Sequence, residues 1–228
     1  MVFSIVGFPQ DVRHVILDDE VGVLAGLKEG GTVVDMTTSK PSLAEEIFNA
    51  AQAKGCTSLD APVSGGDVGA REAKLAIMVG GENEHFERIK PLFELMGKNI
   101  RLMGPSAAGQ HTKMINQTLI ATKMIGVVEG LLYAYKAGID MDEAIAAVET
   151  GAAGSFSIST YGPRISKRNF DPGFVVEHFI KDMGIAVSLN RIKAIELGGF
   201  IGNGFFLSFF LCKYSWKKPR EWNCHSLA

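Results

Sequence analysis

Apolar and polar stretches alternate along the first hundred residues in a pattern that is typical of an α/β protein. Short apolar or β-branched runs such as VFSIVG and TVVDMTT alternate with amphipathic runs such as PSLAEEIFNAAQAKG, which begins at Pro41 and stops at Gly55. Proline in the first helical turn and glycine just after the last turn are favoured helix ends. Short buried strands that alternate with helices predict a partial doubly wound, Rossmann-like parallel sheet over residues 1–106.

The pattern changes after Gly104 and Pro105. Residues 107–136 contain no proline, and apolar side chains recur there at the spacing of an α-helix. Thirty helical residues would extend about 45 Å, which is more than one small domain needs. We therefore place a domain boundary near residue 106 and expect a long interdomain helix that opens an all-α domain over residues 107–197.

The long helix carries charged and small residues that bear on what surrounds it. Lys123 and Glu129 lie within it, which argues against a membrane span. Gly126 and Gly130 allow a close backbone contact with another helix. Because the helix presents more apolar surface than a small domain can cover, we expect a homo-oligomer that forms through the helical domain.

Residues 198–228 form an atypical tail. Aromatic side chains cluster there without a clean periodicity, and the sequence then turns basic. The apolar stretch is too short to cross a bilayer, although an anchor on a membrane surface is an open alternative. We expect that the tail does not continue the helical domain.

The composition excludes several classes of function. Lys and Arg total 23 against 25 for Asp and Glu, so no basic surplus favours a nucleic-acid partner. Three scattered cysteines are too few for a disulfide framework or a zinc pattern, and we expect reduced thiols and no metal site.

The tripeptide Ser64-Gly65-Gly66 follows a short predicted strand, CTSLDAP. Ligands of open α/β sheets usually bind at the carboxyl ends of strands. Glycines at such a point allow backbone N–H groups to approach an anion, and a serine hydroxyl adds a further donor. The tripeptide is therefore either a carboxylate-binding loop or a plain turn.

The segment GQHTKMINQ contains a polar stripe at helical spacing. In a helix Gly109, Lys113, Asn116 and Gln117 lie on one face. A lysine in a closed cleft can have its pKa lowered and act as a general acid or base. A solvated polar face is the alternative.

Two further positions are candidates. Thr37 and Thr38 end the predicted strand VVDMTT, where their hydroxyls could contact a ligand at the sheet edge. The pair Lys181-Asp182 is flanked by apolar residues in FIKDMGIAV. It is either a surface ion pair, which would contribute little to stability, or a group that reaches into the cleft between the domains.

The order of these motifs resembles one known family. DAPVSGG, then GQHTKMIN at the start of a long helix, then FIKDMGIA, is similar to the β-hydroxyacid dehydrogenase family. That family includes 3-hydroxyisobutyrate dehydrogenase, glyoxylate/succinic semialdehyde reductase, tartronate semialdehyde reductase and 6-phosphogluconate dehydrogenase. The resemblance covers roughly residues 1–197 and is strongest to the 3-hydroxyisobutyrate dehydrogenase branch.

The resemblance implies roles for residues of both domains. It makes Lys113 the catalytic acid/base, assisted by Asn116, and it places the carboxylate of a small substrate on Ser64, Gly65, Gly66, Asn116 and Gln117. A nicotinamide cofactor, NAD or NADP, would lie beside four residues: Thr38, Phe174, Lys181 and Asp182. Residues 107–197 would then be a substrate and dimerisation domain.

Two features depart from the family pattern. Gln117 stands where the family usually has asparagine, and the extra methylene changes the reach of its amide. The sequence also contains no G-x-G-x-x-G, the motif whose backbone holds the pyrophosphate of a dinucleotide. We therefore expect an N-terminally truncated family member, a truncated or alternatively spliced product, in which residues 1–106 are the C-terminal part of a Rossmann-type NAD(P)-binding domain.

Two functions remain open. One is an NAD(P)-dependent oxidoreductase of 3-hydroxyisobutyrate or a related hydroxyacid or semialdehyde, which the resemblance links to valine catabolism in mitochondria or to the cytoplasm. The other is a catalytically impaired family member that acts as a non-enzymatic, dimerising protein.

Overall fold

The computed structural model describes residues 1–171 and 173–193. The predicted tail, residues 198–228, lies outside the described residues. The strands are β1 (Val2–Ser4), β2 (Thr32–Asp35), β3 (Thr57–Asp60), β4 (Val63–Ser64), β5 (Leu75–Gly80) and β6 (Gly97–Gly104). The helices are α1 (Pro9–Leu17), α2 (Val23–Gly26), α3 (Pro41–Ala53), α4 (Gly66–Arg71), α5 (Asn83–Phe93), α6 (Ala108–Lys136), α7 (Met141–Glu149), α8 (Phe156–Ser166) and α9 (Val176–Lys193).

The described strands form one sheet in the order β1-β2-β3-β5-β4, with β6 beside β5. Strands β1, β2 and β3 are mutually parallel, as the alternation of strands and helices predicts. Strand β5 runs antiparallel to β3 and β4 and parallel to β6, so the sheet is mixed. Only a short segment containing α4 joins β4 to β5, and a parallel crossover needs a dozen or more residues.

Helices cover both faces of the sheet, which makes the fold doubly wound. Successive side chains of β2 point to opposite faces. Val33 packs with Val12 and Ile47 of α1 and α3, while Val34 packs with Phe86 and other residues on the opposite side. The predicted fold class, a partial Rossmann-like sheet followed by helices, is confirmed.

Helix α6 connects the sheet to the helical half of the chain. Near its start, Met114 packs with Met183 of α9, and further along it Val127 and Leu131 pack with Ile145 and Ile158 of α7 and α8. By length and composition alone, α6 is the helix in the described part of the chain that could cross a membrane. It also contacts four strands of the sheet and four other helices, α3, α7, α8 and α9.

Helix α7 begins directly after Asp140, a residue type that is favoured as an N-cap. The carboxylate of Asp140 accepts hydrogen bonds from the backbone N–H groups of Asp142 and Glu143. The expected close helix contact at Gly126 and Gly130 is not made within the described chain, because a Cβ at either position would have no described neighbour within 4 Å.

Candidate functional site

The predicted carboxylate-binding loop lies at the end of β4, which runs in the same direction as β3, where the chain turns through α4 into β5. Ser64 is half-buried and pairs with Ala76 of β5. Gly65 has a φ of 134° and Gly66 a φ of 63°, both in the region that L side chains rarely adopt. Glycine is therefore required at both positions, and their backbone atoms are exposed rather than covered by side chains.

Lys113 reaches this loop from α6. Its side chain is buried, and its Nζ donates a hydrogen bond of 2.7 Å to the carbonyl oxygen of Val63, the residue before Ser64. Burial lowers the pKa of Lys113 to about 8; the carboxylate of Asp182 opposes this shift, and the ammonium of Lys181 adds to it. An amine with such a pKa can both accept and donate a proton near neutral pH.

A chain of hydrogen bonds runs from Asn116 to α9. The Nδ2 of Asn116 donates to Oε1 of Gln117 over 2.7 Å, and the Nε2 of Gln117 donates to Oδ2 of Asp182 over 2.6 Å. Both ends of the buried Gln117 amide are thus engaged within the protein. The side chain of Gln117 reaches Asp182, so its amide contacts Asn116 and α9 rather than the predicted carboxylate-binding loop.

Asp182 is buried and the side chain of Lys181 is only 10% exposed, so the alternative of a surface ion pair is wrong. Asp182 is fully buried, and its Oδ1 lies 3.2 Å from the Nζ of Lys181. That Nζ also donates to the carbonyl oxygens of Thr38, over 2.6 Å, and of Gly7, over 3.0 Å. Burial raises the pKa of Asp182, against the opposing influence of Lys181, Gln117 and Lys113. Lys181 therefore joins α9 to the loops that follow β1 and β2.

The two threonines after β2 differ in their surroundings. Thr37 is buried, and its hydroxyl accepts a hydrogen bond of 2.9 Å from the backbone N–H of Val6. Thr38 is partly exposed, and its carbonyl accepts from Lys181. The carboxylate of Asp35 accepts from the N–H of Thr37, and burial nevertheless raises the pKa of Asp35 to about 6. Of the two threonines, Thr38 is therefore the one that a ligand can reach.

Phe174 contacts His178, which lies on the same helix as Lys181. It is half exposed, and its ring meets that of His178 edge to face at 6.2 Å between centroids. His178 in turn packs on Phe8, in the loop after β1, at 5.2 Å. The structure thus brings the other candidate residues together and places Phe174 at the edge of the group.

Sequence reasoning missed four residues at this site: Phe8, Asp60, Gln110 and His178. His178 precedes Lys181 by about one helical turn, which is a spacing that would have placed both on one face. A Cβ on Gly7 would lie 3.4 Å from the Nε2 of His178, so α9 packs closely on this loop. Asp60 could have been identified as an acidic residue at the carboxyl end of a predicted strand.

A cavity of about 550 Å³ opens beside Lys181, between α1, α3 and α9. Its lining includes six residues: Phe8, Pro9, Lys40, Leu43, Lys181 and Ser188. It lies at the carboxyl ends of β1 and β2, where open α/β sheets bind nucleotides. The described residues fit one end of a dinucleotide, but no described loop contains the G-x-G-x-x-G that would hold its pyrophosphate.

Two family models match the two halves of the chain. Residues 1–104 match the NAD binding domain of 6-phosphogluconate dehydrogenase, and residues 107–198 match the NAD-binding region of NADP-dependent 3-hydroxyisobutyrate dehydrogenase.

Relatives of known name agree with these matches. A probable mitochondrial 3-hydroxyisobutyrate dehydrogenase-like protein of Arabidopsis thaliana is 58% identical over 87% of the chain, and the chain spans 59% of that relative's length. The 2-hydroxy-3-oxopropionate reductase of Escherichia coli is 40% identical over 86% of the chain and 67% of its own length. The 3-hydroxyisobutyrate dehydrogenase of Mycobacterium tuberculosis, solved with L-serine, superposes with a TM-score of 0.83 at 27% identity, covering 92% of this chain and 74% of that one. The chain belongs to the β-hydroxyacid dehydrogenase family, on its 3-hydroxyisobutyrate dehydrogenase-like branch.

Proposed function

We propose that this chain provides the substrate-binding and proton-transferring part of an NAD(P)-dependent dehydrogenase that acts on 3-hydroxyisobutyrate or a related small hydroxyacid or semialdehyde. One observation carries the proposal: the buried amine of Lys113 contacts the carbonyl of Val63, directly beside the loop of Ser64, Gly65 and Gly66. This contact supports a role for Lys113 in proton transfer beside a loop that would bind the carboxylate, as the oxidation of a small hydroxyacid requires.

The named relatives support this class of substrate. The Escherichia coli relative is a reductase of 2-hydroxy-3-oxopropionate, and the Mycobacterium tuberculosis relative was solved with L-serine. Both compounds are small carboxylates with an oxygen-bearing carbon nearby. The backbone N–H groups of Gly65 and Gly66, the hydroxyl of Ser64 and the amide of Asn116 would bind the carboxylate, while Gln117 would hold Asn116 in place.

We assign the residues of the site to two roles, proton transfer and contact with the cofactor. When bound, nicotinamide supplies the hydride acceptor or donor. In the direction of oxidation, neutral Lys113 would take the proton from the substrate hydroxyl; in the direction of reduction, its ammonium would return a proton to the carbonyl oxygen. Thr38, Lys181 and Asp182 would flank the nicotinamide end of the cofactor, with Phe174 at the edge, and the cavity beside Lys181 would continue that cleft.

The function can be tested on the substrate side and on the cofactor side separately. Titration with 3-hydroxyisobutyrate, followed by amide NMR shifts, should perturb the signals of Ser64 to Gly66, and Ser64→Ala should weaken the binding. Because the sequence contains no G-x-G-x-x-G, NADH and NADPH should bind more weakly than micromolar in fluorescence titrations, with turnover only at high cofactor concentration. If no small hydroxyacid binds and none is turned over with either cofactor, the proposal is wrong.

A non-catalytic role is the second candidate, and exposed apolar side chains of α6 favour it. Leu119, Leu132 and Tyr133 are at least half exposed in the described part of the chain. They would suit a second copy of the chain, which would make this family member a homo-oligomer through residues 107–197. Binding of hydroxyacid without any turnover would support this alternative.

The name of one relative bears on where the reaction takes place. The Arabidopsis relative carries the name of a mitochondrial protein. We propose a mitochondrial location for this chain, together with the part in valine catabolism that the family resemblance implies, and fractionation of cells that express the protein would test the location.

A further inference from the structure

The segment of α6 that carries Lys113 is held by a carboxylate from a distant strand. Asp60, the last residue of β3, accepts hydrogen bonds of 2.8 Å from the backbone N–H of Ala107 at Oδ1 and of Gln110 at Oδ2. The first N–H groups of a helix have no partners within the helix. Asp60 therefore caps α6 from 47 and 50 residues away in the sequence, and the negative charge lies at the positive end of the helix dipole.

The neighbouring backbone is shaped to allow this contact. Asp60 is 4% exposed, and a Cβ on Gly109 would lie 2.8 Å from its Oδ2 and from its backbone oxygen. A Cβ on Gly80 would collide with the same carboxylate. Ala107 enters the helix with a φ of 74°, an uncommon conformation for a residue other than glycine. The absence of a Cβ at Gly80 and Gly109, together with the positive φ of Ala107, thus allows the start of α6 to contact the carboxylate of Asp60.

Gln110 extends this connection to the loop after β2. It is fully buried; its Nε2 donates to the carbonyl of Thr37 over 2.7 Å, and its Oε1 accepts from the N–H of Ser39 over 2.9 Å. These two bonds flank Thr38, whose own carbonyl accepts from Lys181. The side chain of Gln110 therefore fixes the segment that presents Thr38.

The two residues link three parts of the candidate site. From Asp60 the chain runs through Pro62 to Val63, whose carbonyl holds the amine of Lys113, and on to Ser64. From Gln110, one turn of α6 leads to Lys113. We propose that Asp60 and Gln110 are positioning residues, which hold the Lys113 amine against the substrate loop and hold that loop in register with Thr38.

This inference rests on the proposed function for its kinetic consequence, but its geometry can be tested without turnover. Displacement of α6 would break the contact between Lys113 and Val63 and admit water. The charged groups that act on Lys113 from α9, Asp182 and Lys181, would remain. Hydration would then raise the Lys113 titration midpoint from about 8 towards the ordinary lysine value of 10.5.

The test compares Asp60→Asn with Ser58→Ala. The substituted asparagine would keep the size of the side chain but set an NH₂ group against one of the two N–H donors. Ser58 is buried on the same face of the same strand and serves as the control. The pH titration of the Lys113 13Cε signal, assigned with Lys113→Met, should show a midpoint raised by about one unit in Asp60→Asn and unchanged in Ser58→Ala. A purely structural role would lower the melting temperature and leave this midpoint where it is.

Kinetics provide the second readout. Asp60→Asn should lower kcat roughly 10- to 100-fold, with a smaller change in the KM for cofactor, because small displacements of a catalytic group are costly. If Asp60→Asn does not fold, Gln110→Met, which removes both loop contacts, decides the question by the same titration. An unshifted midpoint with wild-type turnover would overturn the inference. A shifted midpoint in a chain that turns over no hydroxyacid would contradict the proposed function and leave the positioning role supported.

Discussion

At the scale of single residues, Lys113 is the group on which the proposed chemistry depends. Its amine has a pKa near 8 because it is buried, and it donates a hydrogen bond to the carbonyl of Val63. Lys113→Met keeps most of the packing volume and removes the proton-transferring group. We expect kcat/KM to fall at least about 100-fold, since general acid–base catalysis contributes about that much. Lys123→Met, at an exposed lysine on the same helix, should leave turnover within about twofold.

The pH dependence of turnover should change sign with the direction of the reaction. Oxidation needs neutral Lys113, so its rate should rise as the pH rises through about 8. Reduction needs the ammonium form, so its rate should fall through the same interval. Initial rates measured in both directions from about pH 6 to about pH 10, an interval that brackets the lowered lysine pKa, test this. Parallel profiles in the two directions would assign the titrating group to another residue.

The sequence predicts some of these residues better than others. Local spacing and backbone chemistry determine the helical stripe from Gly109 to Asn116 and the two glycines after β4, so both could be identified from the sequence. The burial of Lys181 and Asp182 could not, since their partners Thr38 and Gln117 lie 143 and 65 residues away. Gln117 was expected at the substrate, and only the position of α9 shows that its amide is engaged by Asp182.

At the scale of elements, the start of α6 is determined by how closely it packs on the sheet. A Cβ on Gly109 would collide with the carbonyl of Met78 and lie 2.8 Å from the backbone oxygen of Asp60. Gly109→Ala must therefore push the helix away from β5. We expect a loss of about 1–3 kcal/mol in the free energy of unfolding, measured with urea, and a loss of turnover with it.

Gly126 provides a matched control on the same helix. A Cβ there would meet no described atom within 4 Å. Gly126→Ala should therefore increase the free energy of unfolding by about 0.5–1 kcal/mol, the usual gain inside a helix. If both substitutions had the same effect, close packing at Gly109 would not explain its role.

Element order and helix ends were predictable, while the direction of one strand was not. The N-cap of α7 follows from local chemistry at Asp140. The reversal of β5 relative to β3 depends on the length and path of the connection through α4, and hydrophobic patterns do not record strand direction. The sequence therefore predicted the layers of the fold correctly and the sheet as more uniformly parallel than it is.

At the scale of the whole molecule, the uncovered side of α6 determines the expected assembly. Leu132 is 56% exposed and Tyr133 75% exposed. Sedimentation velocity should show a species of twice the 24.6 kDa chain mass, and Leu132→Glu should convert it to the monomer. Leu95→Glu, at a still more exposed leucine outside the helical half, should leave the assembly intact. A monomeric wild-type chain would refute the homo-oligomer.

The contacts of Lys181 bear on the stage of folding at which the candidate site is completed. Its amine joins α9 to Gly7 and Thr38, across 174 and 143 residues of sequence. Contacts between residues so far apart in sequence form late, because a large loop must close before they stabilise the chain. During synthesis the sheet and the first turns of α6 can assemble while α9 is still within the ribosome. The side of the candidate site that Lys181 closes is therefore completed only after nearly all of the described chain has emerged, so an incompletely made chain would hold Lys113 against Val63 without the contacts that α9 adds.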